Sequence, residues 1–270
     1  MEKLVYLLWK PDGASIEAFR DELIGQRAPA LLRSGALALT INVSDLLDQV
    51  GAKSPLVIGE GRTVSASVSL WLDTLDARAP LEDELRACAA RMAGYLVTES
   101  VPLRCPDRNW PDGVRSPGVT LWTAFPKPDR VSDDEFYRHW HGSHTPLSFE
   151  IHPLWEYVRN AVARVLTPGA PPYRALVEER FRTLEDLTDP MRFFGSAENV
   201  QRVLADVAAF ADLEQMNTAP MSETGIATTG MSTDRNDPRN RKMTTMTMRS
   251  VSVSVLSTSP RASLMYAVES

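Results

Sequence analysis

Three of the four histidines of this chain lie in one short segment, residues 135–147, which reads EFYRHWHGSHTPL. An imidazole can accept or donate a proton near neutral pH, and it can also bind a transition metal. His139, His141 and His144 therefore indicate a metal site, a proton-transfer site or a solvated end of a helix.

His144 is the histidine that we expect to point towards the protein body. In a helix of about 3.6 residues per turn, Phe136, Trp140 and His144 share one stripe about 80° wide. His139 and His141 lie off this stripe, so they are predicted to face solvent. His144 is then either a hydrogen-bonded residue favoured by the dipole at the helix C-terminus or a general acid and base at the rim of a pocket.

The sequence gives little support for a metal or nucleotide site. His141 and His144 could both reach one ion, but His139 lies about 140° away from His144 around the helix. The chain has no HExxH pattern and no cysteine near these histidines. It also has no G-x-G-x-x-G, Walker or G-x-S-x-G motif. We therefore predict no metal, no cofactor and no serine hydrolase mechanism.

The segment that contains the histidines has a counterpart earlier in the chain. Residues 10–32 read KPDGASIEAFRDELIGQRAPALL, and residues 127–149 read KPDRVSDDEFYRHWHGSHTPLSF. Identical residues recur without a gap at a constant offset of 117 residues. They include Lys10, Pro11, Asp12, Ser15, Phe19 and Pro29 with Lys127, Pro128, Asp129, Ser132, Phe136 and Pro146. This pattern indicates an internal repeat.

Each copy is predicted to fold in the order β-α-β-β-α-β. An apolar run before KPD indicates a buried strand, and KPD indicates a turn. Ser132 and Glu135 form a capping box for a helix that Pro146 is expected to stop. Further strands are predicted at 63–73, 97–103, 157–167, 174–186 and 213–221, with helices at 80–96 and 196–212. This order is that of the ferredoxin-like split βαβ unit.

The predicted fold class is α+β, with two ferredoxin-like units packed sheet to sheet as an intramolecular α+β barrel that encloses a pocket. Residues 1–103 are expected to form the first unit and residues 119–227 the second. Residues 104–118, rich in Pro, Gly and charge, are the predicted linker. Residues 228–270 are low in Leu, Ile and Phe, so we predict a disordered tail.

The second copy resembles the EthD family of dimeric α+β-barrel proteins. The resemblance rests on the W-x3-H-x-P-L pattern at residues 140–147, which follows a strand, a Lys-Pro turn and a capped helix. It extends to Tyr157, Asn160 and Glu178 in the next two predicted strands. Residues 119–222 resemble the family well, and the first copy resembles it only as a diverged repeat.

Several positions depart from the family pattern. Arg174 stands where the family has an acidic residue. Leu23 and Arg27 stand in the first copy where the second copy has Trp140 and His144. The N-terminal copy is therefore degenerate, and only the second copy can carry the histidine of the family.

The resemblance implies a cofactor-independent catabolic or polyketide-type tailoring enzyme. Its chemistry would be dehydratase- or decarboxylase-like proton transfer on a small aromatic or polyketide-like molecule, with His144 as general acid and base. One alternative is an oxidoreductase or an oxygenase-accessory protein, as the founding member of the family implies. Another is a non-catalytic protein that binds a small molecule.

Five residues are candidates for substrate binding. Trp140 is either a core residue or an aromatic wall of the pocket. Tyr157 and Asn160 lie on opposite faces of a regular strand, so at most one of them can line the pocket. Glu178 belongs either to a solvated row of ion pairs or to a polar pocket lining. Arg27 is either a surface charge or a clamp for a carboxylate.

Composition limits the partners and the location. The formal net charge of −6 argues against nucleic acid and anionic membranes as partners. Cys88 and Cys105 form no CxxC pair, which favours a reducing compartment. The apolar run at the N-terminus ends at Lys10 and is too short for a signal peptide or a membrane span. We expect a cytoplasmic protein that binds a small apolar or aromatic substrate and is able to form a homodimer.

Overall fold

The computed structural model describes residues 1–50, 57–59, 63–106, 108–228 and 233–234. These residues contain eight β-strands. The strands are Glu2–Trp9 (β1), Ala38–Val43 (β2), Ala66–Leu72 (β3), Arg91–Leu103 (β4), Val119–Phe125 (β5), Leu154–Val165 (β6), Ala175–Phe181 (β7) and Asn217–Ala227 (β8).

The eight strands form one closed antiparallel barrel in the order β1-β3-β2-β8-β5-β7-β6-β4. The predicted barrel is confirmed, but the face-to-face packing of two sheets that we expected is wrong. Strand β2 pairs with β8, and β4 pairs with β6, so the two halves are joined edge to edge. Closure gives the edge strands backbone partners that two separate sheets would lack.

Helices cover the outside of the barrel. They are Ile16–Glu22 (α1), Ala28–Arg33 (α2), Leu47–Val50 (α3), Ala79–Arg86 (α4), Asp133–His139 (α5), Thr145–Ile151 (α6), Leu184–Thr188 (α7), Pro190–Phe194 (α8) and Ala197–Phe210 (α9). A π-helical turn joins α1 to α2 at Leu23–Arg27, and a second one joins α5 to α6 at Trp140–His144. Apart from the short helix α3 between β2 and β3, both halves have the element order strand, helix, strand, strand, helix, strand.

Successive side chains of each strand point alternately into the barrel and towards the helices. The interior holds an apolar cluster contributed by both halves, which includes Val5, Leu7, Tyr95, Trp122 and Leu176. Separate apolar clusters lie between the barrel and the helices of each half. The protein therefore has two kinds of buried compartment, one on each side of the sheet.

Arg180 closes one end of the barrel interior. Its guanidinium carbon lies 5.4 Å from the ring centre of Trp110 and 5.5 Å from that of Trp155. It donates to Glu223 at 2.6 Å and to the carbonyl oxygen of Pro117 at 2.6 Å. Residues from the segment between β4 and β5 thus cover this end of the barrel.

The element boundaries differ from the prediction in the first half. The helix predicted at 80–96 ends at Arg86, and β4 already begins at Arg91. In β4, Gly94 lies against the Tyr6 ring, which a Cβ atom would approach to 2.5 Å. Strand β2 was not predicted as a separate element, although the apolar residues Leu39, Ile41 and Val43 alternate with the polar residues Thr40 and Asn42.

Strand β8 begins later than predicted and continues to Ala227. Most of the predicted tail, 228–270, lies outside the described residues. Within the described part of the chain, no helix has the length and apolar character that a bilayer span requires.

Candidate functional site

The histidine segment is part of one continuous helix that consists of α5, the π-helical turn and α6. Helix α5 begins with the predicted capping box, in which the Ser132 side chain and Glu135 cap each other's backbone amides. Pro146 was expected to stop this helix. It lies instead in the first turn of α6, where a missing amide proton removes no helical hydrogen bond.

The π-helical turn brings His139 and His144 together, contrary to the prediction that His139 faces solvent. In an α-helix, residues five apart point about 140° away from each other. The wider π-helical turn, closed by a bond from the Thr145 amide to the Trp140 carbonyl, reduces this separation. Both imidazoles consequently reach one carboxylate on α9, that of Asp206.

Asp206 accepts hydrogen bonds from three side chains of the histidine segment. His144 Nδ1 lies 2.8 Å from Oδ2, and His139 Nε2 lies 2.9 Å from Oδ1. Ser143 Oγ donates to Oδ1 at 2.8 Å. The side chains of Asp206 and His144 are only 11% and 16% exposed, so this cluster is largely buried.

The cluster keeps Asp206 ionised. Burial alone would raise the pKa of this carboxyl, but the hydrogen bonds from His144 and Ser143 and the nearby imidazoles lower it to about 2. A carboxylate that accepts from Nδ1 fixes the tautomer of an imidazole and leaves Nε2 available to exchange a proton. The His144 ring also packs on Phe210 at 5.1 Å, which restricts its orientation.

Trp140 and Tyr157 lie under this cluster, in the layer between barrel and helices. Both side chains are completely buried. Trp140 packs against Phe125 and Phe136 at 5.8 and 5.7 Å between ring centres. Their burial makes them supports for the histidine segment rather than surfaces that a bound molecule could touch.

Glu179 is a buried carboxyl of the same layer that sequence reasoning missed. It stands opposite Tyr157 in the β6–β7 pairing. Burial raises the pKa of Glu179 to about 7, and burial together with the Glu179 charge raises the pKa of Tyr157. Asp206 was missed as well. The sequence signal that could have identified Asp206 is its position on the apolar stripe of α9, among Val203, Val207 and Phe210.

Asn160 and Glu178 lie on the other side of the sheet, inside the barrel. Asn160 stands opposite Leu176, a member of the interior cluster, and Glu178 stands opposite Trp122. Glu178 is buried and contacts Ser69 Oγ at 3.5 Å. Because His144 lies among the helices, these side chains do not form one site with it.

Arg27 lies in the first half, at the end of the first π-helical turn. It pairs with Glu22 at 2.7 Å and with Glu84 at 3.3 Å, both on the helices of that half. The structure therefore does not bring Arg27 together with the other predicted site residues.

The remaining histidines are held as neutral groups. Burial, together with the charge of Arg159, lowers the pKa of His141 to about 4. Burial also lowers the pKa of His152 to about 4, against the effect of its hydrogen bond to the Phe193 carbonyl. His141 was predicted to face solvent, but the π-helical turn packs it beside Trp140 at 4.7 Å. The described residues contain no group of three or more His, Cys, Asp or Glu side chains placed to hold a metal ion.

The comparisons with known proteins agree with this geometry. Residues 128–214, which include His144 and Asp206, match the EthD domain model. No curated protein sequence matches the chain.

The barrel is similar to a solved anthrone oxidase-like protein, with 8% sequence identity and a TM-score of 0.57 over 84% of this chain and 93% of the other. Two further similar structures have lower TM-scores. A mutant chlorite dismutase of Candidatus Nitrospira defluvii is 7% identical, with a TM-score of 0.45 over 82% and 91% of the two chains. A heme-bound variant of DypB from Rhodococcus jostii RHA1 is 12% identical, with a TM-score of 0.43 over 84% and 93%.

Proposed function

We propose that this protein is a small-molecule enzyme that catalyses cofactor-independent proton transfer at His144. The observation that carries the proposal is the hydrogen bond of 2.8 Å between His144 Nδ1 and Asp206 Oδ2, inside the segment that matches the EthD domain. A buried carboxylate on Nδ1 orients the ring and stabilises the imidazolium that forms during proton transfer.

The proposed reaction is an elimination or a decarboxylation of a small aromatic or polyketide-like carbonyl compound. In the elimination, His144 Nε2 removes a proton from the carbon beside the carbonyl, and the electron pair forms the new double bond. The departing hydroxyl takes the proton from His144 and leaves as water. In the decarboxylation, His144 takes the proton of the carboxylic acid and carbon dioxide leaves. The resulting carbanion then takes this proton from the imidazolium. Neither path needs an external oxidant or reductant.

Asp206, Trp140 and Tyr157 are positioning residues in this proposal. Asp206 fixes the tautomer of His144, and the two buried aromatic side chains support the π-helical turn. In the first half, the position of His144 is taken by Arg27, which is engaged in ion pairs. The proposal therefore assigns one active site to the chain, in the second half.

We also propose that the chain is a tandem duplication of a ferredoxin-like unit whose N-terminal copy has diverged. The helices support this proposal, because α1, the π-helical turn and α2 begin 117 residues before α5, the second π-helical turn and α6. We further propose that the protein works in the cytoplasm and can form a homodimer.

Two other functions are kept as alternatives. An oxidoreductase or oxygenase-accessory role has its support in the fold similarity to the anthrone oxidase-like protein. A non-catalytic binding protein would use the same fold without chemistry. Both alternatives predict that the wild type does not eliminate water or carbon dioxide from carbonyl compounds.

The experiment measures turnover on a panel of aromatic β-hydroxy ketones and aromatic β-keto acids. Dehydration is followed by the ultraviolet absorbance of the enone, and decarboxylation by the release of carbon dioxide. We expect the wild type to convert at least one compound and H144N to lose at least about 100-fold in kcat while it still binds that compound. H152N is the matched control, because His152 bonds the Phe193 carbonyl and not Asp206. It should stay within about fivefold of the wild type, since a loss of about 1 kcal/mol corresponds to that factor. A wild type inert to the whole panel, or an H144N variant of full activity, would contradict the proposal.

A further inference from the structure

Arg159 is a partly buried cation that bonds only neutral groups. It lies on β6, and its side chain faces the helices, on the same side of the strand as Tyr157. Its Nε donates to Ser100 Oγ at 3.1 Å, and its Nη1 donates to Thr145 Oγ1 at 3.0 Å. Within the described residues, no carboxylate forms an ion pair with this guanidinium.

This arrangement sets Arg159 apart from the other described arginines. Each of the others that is not exposed forms an ion pair with an Asp or Glu side chain. They are Arg20, Arg27, Arg78, Arg108, Arg174 and Arg180. Burial lowers the pKa of Arg159, as expected of a cation that is partly removed from water without gaining an anion. A bound anion would compensate this charge.

The surroundings of Arg159 are open to solvent. Its Nη2 makes no hydrogen bond to a described residue and is not enclosed by protein atoms. Ser100, which stands opposite Arg159 on β4, is partly exposed, and so is Val101. Strand β4 has a bulge here, because Ser100 and Leu103 stand opposite Arg159 and Tyr157, so three steps on β4 match two on β6. Bulges of this kind often border functional sites.

An exposed aromatic ring lies beside the guanidinium. Thr145 and Phe149 are four residues apart on α6 and share one face of the helix. Thr145 bonds Arg159, and the Phe149 ring packs against Tyr157 at 5.5 Å between ring centres. Since Tyr157 and Arg159 are neighbours on one face of β6, Phe149 is the next group along the strand from Arg159. Phe149 is 38% exposed, so part of its ring can contact an apolar group.

We propose that Arg159 and Phe149 form a binding site for a small carboxylic acid with an apolar or aromatic body. The guanidinium offers its remaining N–H groups to the carboxylate, and charge-assisted hydrogen bonds of this kind are stronger than those between neutral groups. The body of the acid covers the Phe149 ring and removes apolar surface from water. This binding does not depend on the reaction that we propose at His144.

The test is isothermal titration calorimetry of the full chain with benzoate and with benzamide, a neutral molecule of similar shape. We expect benzoate to bind at least about tenfold more tightly than benzamide. R159M should weaken benzoate binding at least about tenfold, because it removes the charged donor. F149A should weaken it about fivefold through the loss of apolar contact.

R164M is the matched control, because Arg164 is an exposed arginine on the same strand and its removal changes the net charge equally. It should leave the affinity for benzoate unchanged. R159K keeps the charge and loses the planar set of donors, so its affinity should lie between those of the wild type and R159M. This variant keeps the test valid if circular dichroism shows that R159M does not fold.

The kinetics of R159M distinguish two sources of the acid. If the acid is the substrate of the proposed reaction, R159M raises KM for the β-keto acids of the panel and not for the β-hydroxy ketones. If the acid is a separate ligand, neither KM changes. In both cases H144N should bind benzoate like the wild type, so failure of this site is distinguishable from failure of the proposed reaction.

Three results would overturn the proposal. The first is a wild type that binds benzoate no better than benzamide. The second is equal benzoate affinity of the Arg159 variants and R164M. The third is loss of benzoate binding in H144N but not in R159M, which would assign the carboxylate to the histidine.

Discussion

Tyr157 and Asn160 lie three residues apart on β6 and point to opposite sides of the sheet. Tyr157 is buried under the helices beside Glu179, and Asn160 faces Leu176 inside the barrel. A strand that is buried on both faces thus serves two compartments at once. The proton-transfer site that we propose at His144 belongs to the first compartment.

The hydrogen bonds of Asp206 stabilise its ionised carboxylate, so the protein should lose stability in acid. Its folded-state pKa of about 2 lies below the ordinary value of 3.8, so the stabilisation is present above pH 4 and is lost as the pH falls towards 2. We expect D206N to lower the free energy of unfolding by about 2 kcal/mol at pH 7 and the difference from the wild type to close in this acidic range. Urea denaturation at several pH values measures it. A difference that does not change with pH would contradict the role of the ionised carboxylate.

Glu179 should have the opposite pH dependence. Burial raises its pKa from 4.5 to about 7, so the folded protein favours the neutral acid, and stability falls as the pH rises from 4.5 to 7. E179Q should therefore be more stable than the wild type by up to about 3 kcal/mol at pH 8 and similar to it at pH 4. The same denaturation series gives both values. If E179Q is no more stable than the wild type above pH 7, ionisation of Glu179 does not destabilise the folded protein and this prediction is wrong.

Arg180 should contribute strongly to the free energy of unfolding, because it holds together the closed end of the barrel. Its removal leaves Glu223 as a buried charge without its closest cationic partner, and Glu156 loses a cation 3.8 Å away. We expect R180M to lower the free energy of unfolding by about 3–5 kcal/mol. The double variant R180M/E223Q should recover part of this loss, because it removes the uncompensated charge. A double variant no more stable than R180M would instead assign the loss to the packing between Trp110 and Trp155.

Much of this architecture follows from local patterns in the sequence. The capping box at Ser132 and Glu135 and the assignment of Tyr157 and Asn160 to opposite faces are set by neighbouring residues, and the structure confirms both. Strand β2 was not recognised, although residues 39–43 alternate between apolar and polar types as a strand does. The helix predicted at 80–96 was too long because Gly94 is required by the packing of Tyr6, a contact distant in sequence.

The site itself could be predicted only in part. His144 stands out by residue type, but its contact with Asp206 depends on a π-helical turn. A π-helical turn contains one residue more than an α-helical turn, and the amino-acid composition of the segment does not reveal it. The partner lies 62 residues away on α9, so only the folded chain brings the pair together. Asn160 and Glu178 were candidates for the same pocket as His144, but they lie on the other side of the sheet from it.

The most direct test of the proposed chemistry is a double-variant cycle on His144 and Asp206. It compares kcat for the wild type, H144N, D206N and H144N/D206N on the panel compound that the wild type converts fastest. If Asp206 acts through His144, D206N should lose about 10–100-fold, and the double variant should be no slower than H144N alone. A D206N variant as active as the wild type, or losses that multiply in the double variant, would contradict a proton-transfer site formed by this pair.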